Sequence, residues 1–317
     1  MEIVRGLQGL SARHRGAAIT VGSFDGIHLG HGALIARACS LAAQAGKPAM
    51  MLTFEPLPRE YLAPQDPPAR LTDLRERWRV LERSDLSFLC VLRFDERLRS
   101  LSGEQFVNLL SERFAATAVV VGQDFRFGRG GAGSVGLLRA AADAGRFALE
   151  LVSSVCIDDT RVSSSGVRAL LAAGEFRAAR DLLGRAYSMR GRVVAGEKLG
   201  RRLGYPTANI RMRRAKLPLG GIFAVRVRGV DAGNPHAQRA GVASLGFRPT
   251  VGGTKPLLEA HVFDYDGSLY GRELEVEFVA KIRDEEKFAN LDALVQQMHQ
   301  DAAAARAILQ SEPGSGT

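Results

Sequence analysis

Near residues 184–189 the hydrophobic period of the chain changes, which rules out one continuous sheet for the whole. Before that point, apolar runs alternate with helix-like stretches. Strands are expected at 17–22, 49–54, 88–93, 119–122 and 147–152. Helical spacing covers 29–45, 71–84, 102–114 and 134–144. The helix at 102 opens with Ser102-Gly-Glu-Gln105, in which each end's side chain can satisfy the other's backbone N–H. Strand alternating with helix implies a parallel sheet covered on both faces, with ligands at the strands' C-terminal ends. After residue 185, strand-like runs follow one another at 188–195, 222–230, 240–244, 258–263 and 274–282, separated by Gly and Pro turns. That pattern predicts a small antiparallel barrel. A helix over 291–309 closes the chain, and 313–317 reads as a frayed tail. Two domains are expected: α/β over 1–185, and an antiparallel β-barrel with a closing helix over 186–317.

With 317 residues, 46% of them hydrophobic, the chain can bury two cores. No apolar run approaches the roughly 18 residues of a membrane helix. The N-terminus carries Glu2 and Arg5 and no apolar h-region. Cys39, Cys90 and Cys156 each lie in an apolar stretch without metal-ligand spacing, so buried thiols in a reducing cytoplasm are expected. The net charge of +9 suits either a nucleic acid or polyanionic nucleotide substrates. The arginines are spread out, and no basic run interleaves with aromatics. Nucleotide substrates are therefore favoured, with no nucleic acid or membrane partner, on a monomer or transient oligomer.

The first chemical constellation is Thr20-Val-Gly-Ser-Phe-Asp-Gly-Ile-His-Leu-Gly-His31. It runs from a strand end into a helix start. Gly22, Gly26 and Gly30 let backbone approach a ligand. His28 and His31, three apart, sit on one side of the first helical turn. A helix N-terminus attracts phosphate, and two imidazoles there can donate to it as charge builds. The alternative is a glycine-rich turn that happens to hold two surface histidines.

The second lies in residues 190–210. Gly196 and Gly200, with Lys198 and Arg201, can form a flexible cationic cover for polyphosphate. Thr207 and Asn209 alternate on an extended segment and so point to one side. A hydroxyl and an amide carbonyl suit Mg²⁺, which prefers oxygen ligands and phosphate partners. A solvated basic loop remains the alternative for Lys198 and the arginines.

These strings resemble the prokaryotic bifunctional riboflavin kinase/FMN adenylyltransferase (FAD synthetase) family over about residues 15–308. The first is similar to the HxGH signature of Rossmann-like nucleotidyltransferases. The resemblance implies ATP contacts from Gly22, Phe24, Asp25, Gly26, His28 and His31. Residues 161–168 are similar to the family's Ser-Ser-Thr-x-x-Arg motif ahead of a helix, which adds Ser164, Ser165 and Arg168. Residues 53–58 and 121–128 resemble flavin-contacting segments, implying Phe54, Pro56, Asp124, Phe125 and Phe127; for the three phenylalanines, ordinary core residues are the alternative. Leu57 stands where many members have histidine and cannot hydrogen-bond, and Ser165 stands in place of threonine. Pro206-Thr-Ala-Asn209 is similar to the riboflavin kinase signature. By position in that pattern Glu259 is the general base, Glu259 and Arg283 contact flavin, and residues 241–250 form a mobile loop.

The implied activity is phosphorylation of riboflavin to FMN, then transfer of AMP from ATP to give FAD and pyrophosphate, with Mg²⁺. Two other readings stay open: a kinase with a degenerate N-terminal domain, for which Leu57 speaks, and a nucleotide- or RNA-binding regulator, for which the charge speaks.

Overall fold

The computed structural model describes residues 1–196, 200, 203–250 and 253–312; Lys198, Arg201 and the tail at 313–317 lie outside the described residues. Two compact units emerge: Met1–Pro68 with Arg77–Ser163, and Ala69–Glu76 with Ser164–Thr317.

The first unit is built on six parallel strands: β1 (Glu2–Arg5), β2 (Ala18–Val21), β3 (Ala49–Glu55), β4 (Phe88–Arg93), β5 (Ala118–Gly122) and, after the short hairpin β6 (Arg126–Phe127) and β7 (Gly133–Ser134), β8 (Ala148–Val152). Their order is β1-β4-β3-β2-β5-β8. The chain steps outward from β2 through β3 to β4, then returns to the other side of β2 with β5. Between β2 and β5 the winding direction reverses, which is where open α/β sheets bind ligands. Strand alternation sends Ile19, Val21, Met50, Leu52, Val119 and Val121 into one core with Phe106, Leu110 and Phe114. Helix α1 (Leu29–Gln44) buries Ile35, Ala38 and Ala42.

Several elements differ from the sequence reading. The edge strand β1 was not expected; it is four residues long and pairs with β4 alone. The helix expected over 71–84 is α3 (Leu74–Leu81), the third helix after a short α2 (Pro58–Leu62). Asp73 starts it late by capping its N-terminus: its carboxylate accepts from the backbone N–H groups of Arg75 and Glu76, and Glu76 accepts from the Asp73 N–H. The box at Ser102 and Gln105 forms as read, starting an α-helix over Gly103–Asn108 that continues as a π-helical turn over Leu109–Arg113. Cys90 is buried and Cys39 half-buried, but Cys156 is exposed. Its apolar stretch leaves the sheet and enters a two-stranded hairpin, β9 (Cys156–Ile157) with β10 (Thr160–Arg161).

In the second unit, six antiparallel strands close a barrel in the order β11-β12-β15-β14-β13-β16. They are β11 (Ser188–Val194), β12 (Ala208–Arg211), β13 (Gly221–Arg228), β14 (Gln238–Thr250), β15 (Gly253–Val262) and β16 (Glu273–Arg283). Residues 241–250, expected as a mobile loop, are instead part of β14, whose ladder to β15 is regular throughout. Closure comes from the pairing of β11 with β16. The final helix, Leu291–Ser311, packs buried Ala302 and Ala305 against Ala224 and Phe263 of the barrel. The same unit includes the helices Ser164–Ala173 and Phe176–Leu183. Among the described residues no helix is long and apolar enough to cross a membrane.

Candidate functional site

The strands flanking the reversal point both end in a predicted motif. From β2 the chain enters Gly22–His28, and from β5 it enters Gly122–Phe127. The neighbouring β3 carries Phe54 and leads into Pro56. In the first loop Phe24, Asp25, Gly26, Ile27 and His28 are all buried. Gly26 adopts φ 87°, while Phe24 (φ 49°) and Ile27 (φ 43°) take the left-handed conformation that ordinary side chains avoid. Each costs on the order of 1 kcal/mol and persists only where its surroundings fix it.

One such support is Arg77, which is fully buried. Its guanidinium donates to Ser23 O (3.1 Å), Thr53 Oγ1 (3.1 Å) and Glu55 Oε2 (2.8 Å). Thr53 Oγ1 also donates to Ser23 O at 3.2 Å. Arg77 thus ties the histidine loop to the segment that carries Phe54 and Pro56. Sequence reasoning missed it, although a signal was present. Arg77 lies three residues after Leu74 and four before Leu81, on the helix's apolar stripe, where a charge requires partners.

His28 is the N-cap of α1, and its Nδ1 accepts from His31 N–H at 3.3 Å. The acceptor role leaves the proton of the neutral ring on Nε2. The two imidazoles stack, with centroids 3.6 Å apart and planes at 17°, and Phe24 meets His31 edge-on at 5.1 Å. A Cβ at Gly30 would come 3.2 Å from the His28 ring, and one at Gly22 3.2 Å from Phe24. The sequence therefore brings two ring donors together at a helix N-terminus, beside the reversal point.

Asp124 forms an ion pair with Arg161 (2.6 Å), both well exposed. Such pairs contribute about 0–1 kcal/mol, so Asp124 is readily surrendered to another partner. Phe54 and Phe127 are core residues, packed on Phe94 and Phe106 respectively, while half-buried Phe125 stacks on Phe127. Leu57 is buried as the N-cap of α2. Ser164, Ser165 and Arg168 lie within the first turns of the helix Ser164–Ala173 rather than ahead of it, in the second unit. Arg168 Nε donates to Ala69 O there.

In the barrel, the ladder sets Asn209 opposite Glu259, and Glu259 opposite Ser244. Three strands thus present an amide, a carboxylate and a hydroxyl in one row. A cavity of about 310 Å³ opens beside it, lined by Thr207, Ser244, Glu259, His261, Arg283 and Phe288 among others. Asn209 is itself buried at 8% exposure. A Cβ at Gly196 would lie 2.5 Å from the Asn209 amide, so only glycine lets the backbone pass so close. Gly200 also lines the cavity. Arg283 is held by both oxygens of buried Asp301 (2.9 and 2.7 Å), and its guanidinium carbon lies 5.6 Å from the Phe288 ring centre. The hydrogen bonds to Asp301 raise the Arg283 pKa above its ordinary value. Asp301 and Ser244 were missed by sequence reasoning: one sits in an alanine-rich helix, the other in an ordinary strand, and only the tertiary fold brings them to the cavity.

Comparison with known proteins gives two successive family matches along the chain. The family model described as FAD synthetase matches residues 10–166, and that described as riboflavin kinase matches 183–309. The bifunctional riboflavin kinase/FMN adenylyltransferase of Pseudomonas fluorescens is 42% identical, with 97% of this chain and 98% of that protein covered. That of Escherichia coli K12 is 39% identical, with 96% and 97% covered. A crystal structure of a macrolide-efflux protein from Streptococcus pneumoniae is 27% identical, covers 96% of this chain and 98% of its own, and superposes with a TM-score of 0.78. With both halves matched in order and near-complete relatives well above 30% identity, the chain belongs to the bifunctional riboflavin kinase/FMN adenylyltransferase family.

Proposed function

We propose that the chain carries out two consecutive ATP-dependent transfers, riboflavin to FMN in residues 186–317 and FMN to FAD in residues 1–185. The observation that carries this reading is the separation of two constellations. The stacked His28–His31 pair lies in the first unit at the sheet's reversal point. The Asn209–Glu259 row lies in the barrel beside the cavity.

In the kinase step, the Glu259 carboxylate accepts the proton of riboflavin's primary hydroxyl. The oxygen bonds to the γ-phosphorus, the bond to the β-phosphate oxygen breaks, and ADP leaves. Arg283, held by Asp301, and Glu259 contact the flavin. Thr207 Oγ1 and Asn209 Oδ1 fit Mg²⁺, being hard oxygen donors two residues apart in the chain with Gly196 packed beneath the amide. When bound there with ATP, the ion supplies charge neutralisation at the phosphate oxygens. Gly196, Lys198, Gly200 and Arg201 are assigned to the polyphosphate.

In the second step, an FMN phosphate oxygen attacks the α-phosphorus of ATP and pyrophosphate leaves, with no covalent enzyme intermediate. His28 Nε2–H and the His31 ring donate to the phosphate oxygens as charge develops. Gly22, Phe24, Asp25 and Gly26 shape the ATP loop. Phe54, Pro56, Asp124, Phe125 and Phe127 are assigned to FMN. The assignment of Ser164, Ser165 and Arg168 to ATP rests on their sequence motif. Three free thiols favour a reducing, cytoplasmic setting.

Purified protein incubated with riboflavin, ATP and Mg²⁺ should yield FMN and then FAD on chromatography. FMN alone would leave only the kinase, and neither product would leave a nucleotide-binding protein.

A further inference from the structure

Thr207 precedes the first residue of β12, Ala208, so the sheet ladder does not fix it. The residues around it show what does. His261 follows Glu259 by two on β15; both side chains therefore leave the same strand face, and both line the cavity. His261 Nδ1 lies 2.9 Å from Pro206 O. A carbonyl only accepts, so Nδ1 carries the hydrogen and Nε2 of the neutral ring does not. The His261 ring is met edge-on by Tyr205 at 5.0 Å and by Phe263 at 5.7 Å, which restricts its rotation. Tyr205 is held in turn by its hydroxyl's 2.5 Å bond to His299 Nδ1. Beneath the segment, a Cβ at Gly200 would come 2.3 Å from Tyr205 O and 3.3 Å from Thr207 Oγ1.

Resting on the kinase reading of the barrel, we propose that His261 is a positioning residue of that site. Its Nδ1–H fixes the Pro206 carbonyl. Through that peptide it sets the Thr207 hydroxyl toward the phosphate-bound cation, beside the Asn209 amide that the β12–β15 ladder holds. Partners of this kind behind metal ligands typically change metal affinity or activity by about 10–100-fold.

The test uses the full-length chain and two variants. His261→Phe keeps a ring against Tyr205 and Phe263 but removes the donor. His261→Asn places an N–H donor near the Nδ1 position. FMN formation is followed against Mg²⁺ concentration, and adenylylation of supplied FMN is measured in the same preparations. Independently, ¹⁵N NMR of the wild-type histidines, with the His261 signal identified by its loss in His261→Asn, reports the tautomer. The expected results are an Nδ1–H tautomer and a rise of about tenfold in the Mg²⁺ needed for half-maximal FMN formation in His261→Phe. His261→Asn should recover most of that loss, and FMN adenylylation should be unchanged. An Nε2–H tautomer overturns the proposal, as does an unchanged Mg²⁺ dependence in His261→Phe or a His261→Asn as impaired as His261→Phe. Should His261→Phe fold poorly, the tautomer and the asparagine variant still decide. Wild-type protein that makes no FMN would sink the kinase reading instead, and the tautomer would still report on the His261–Pro206 bond.

Discussion

In the proposed reaction His28 combines two tasks that usually fall to different residues, capping a helix and donating to phosphate. As N-cap it accepts the His31 N–H, and by doing so it commits its own proton to Nε2. Replacing both histidines by alanine therefore removes two donors and one cap. Loss of a single oxyanion-type donor costs about 10²–10³ in rate, so FAD synthesis in the double variant should collapse while FMN accumulates. A folded double variant that makes FAD at the wild-type rate would leave the glycine-rich turn as mere structure. Glu259 supports the complementary prediction. Glu259→Gln keeps the shape but cannot accept the hydroxyl proton. FMN formation should fall by about 10²-fold or more, while adenylylation of supplied FMN stays near wild type; equal loss of both rates would contradict the partition. The sequence offers the histidines through a dense local string, and Glu259 through its position in the family pattern. Arg77 was not legible there, because the acceptors on Ser23, Thr53 and Glu55 come from segments 22 to 54 residues away in the chain. A buried arginine can be suspected from its place on an apolar stripe, but its partners cannot be named without the fold.

At the level of elements, the capping box at Ser102 and the strand–helix alternation carried over because both are local. The barrel's long hairpin did not, since β14 and β15 run well past the apolar cores at 240–244 and 258–263. Ladder hydrogen bonds extend those strands through Gly246 and Phe247, where side-chain pattern gives no cue. One barrel element should show a pH signature. Glu275 on β16 pairs with Arg190 of β11 and Arg228 of β13, and Ser188 donates to it at 2.8 Å. Burial alone would raise its pKa, but Arg190, Ser188 and Arg228 outweigh that and leave it below its ordinary value of 4.5. A depressed carboxylate stabilises the fold above its unfolded pKa and loses that contribution as pH falls through the folded value. Wild type should therefore melt above Glu275→Gln at pH 7, with the gap closing below about pH 4.5. A gap that holds or widens in acid would show that Glu275 acts by packing rather than charge.

For the whole molecule, the second compact unit is larger than the barrel and its closing helix. It includes the helices over Ser164–Leu183 and the segment Ala69–Glu76. Arg214, itself buried, donates to Arg70 O (3.1 Å) and Leu71 O (2.9 Å) and pairs with Glu76, while Tyr187 Oη donates to Leu71 O (3.0 Å). Phe176, at 6% exposure, stacks on Phe278 with centroids 6.3 Å apart and meets Phe223 edge-on at 5.8 Å. A kinase fragment cut at Tyr187 discards Phe176 and uncovers those two barrel rings; one cut at Ser164 keeps it. Truncating a buried phenylalanine to alanine costs about 3–5 kcal/mol, which for a domain of this size corresponds to roughly 10 °C in Tm. Both fragments should phosphorylate riboflavin, because Thr207, Asn209 and Glu259 are intact in each. The longer one should melt about 10 °C higher, and Phe176→Ala within it should bring its Tm back toward that of the shorter. Equal melting temperatures would mean that Phe176 contributes nothing to the barrel. A folded long fragment that is inactive, beside a full-length protein that makes FMN, would show that the kinase also needs residues before 164, with the segment Ala69–Glu76 and its bonds to Arg214 as the first to restore.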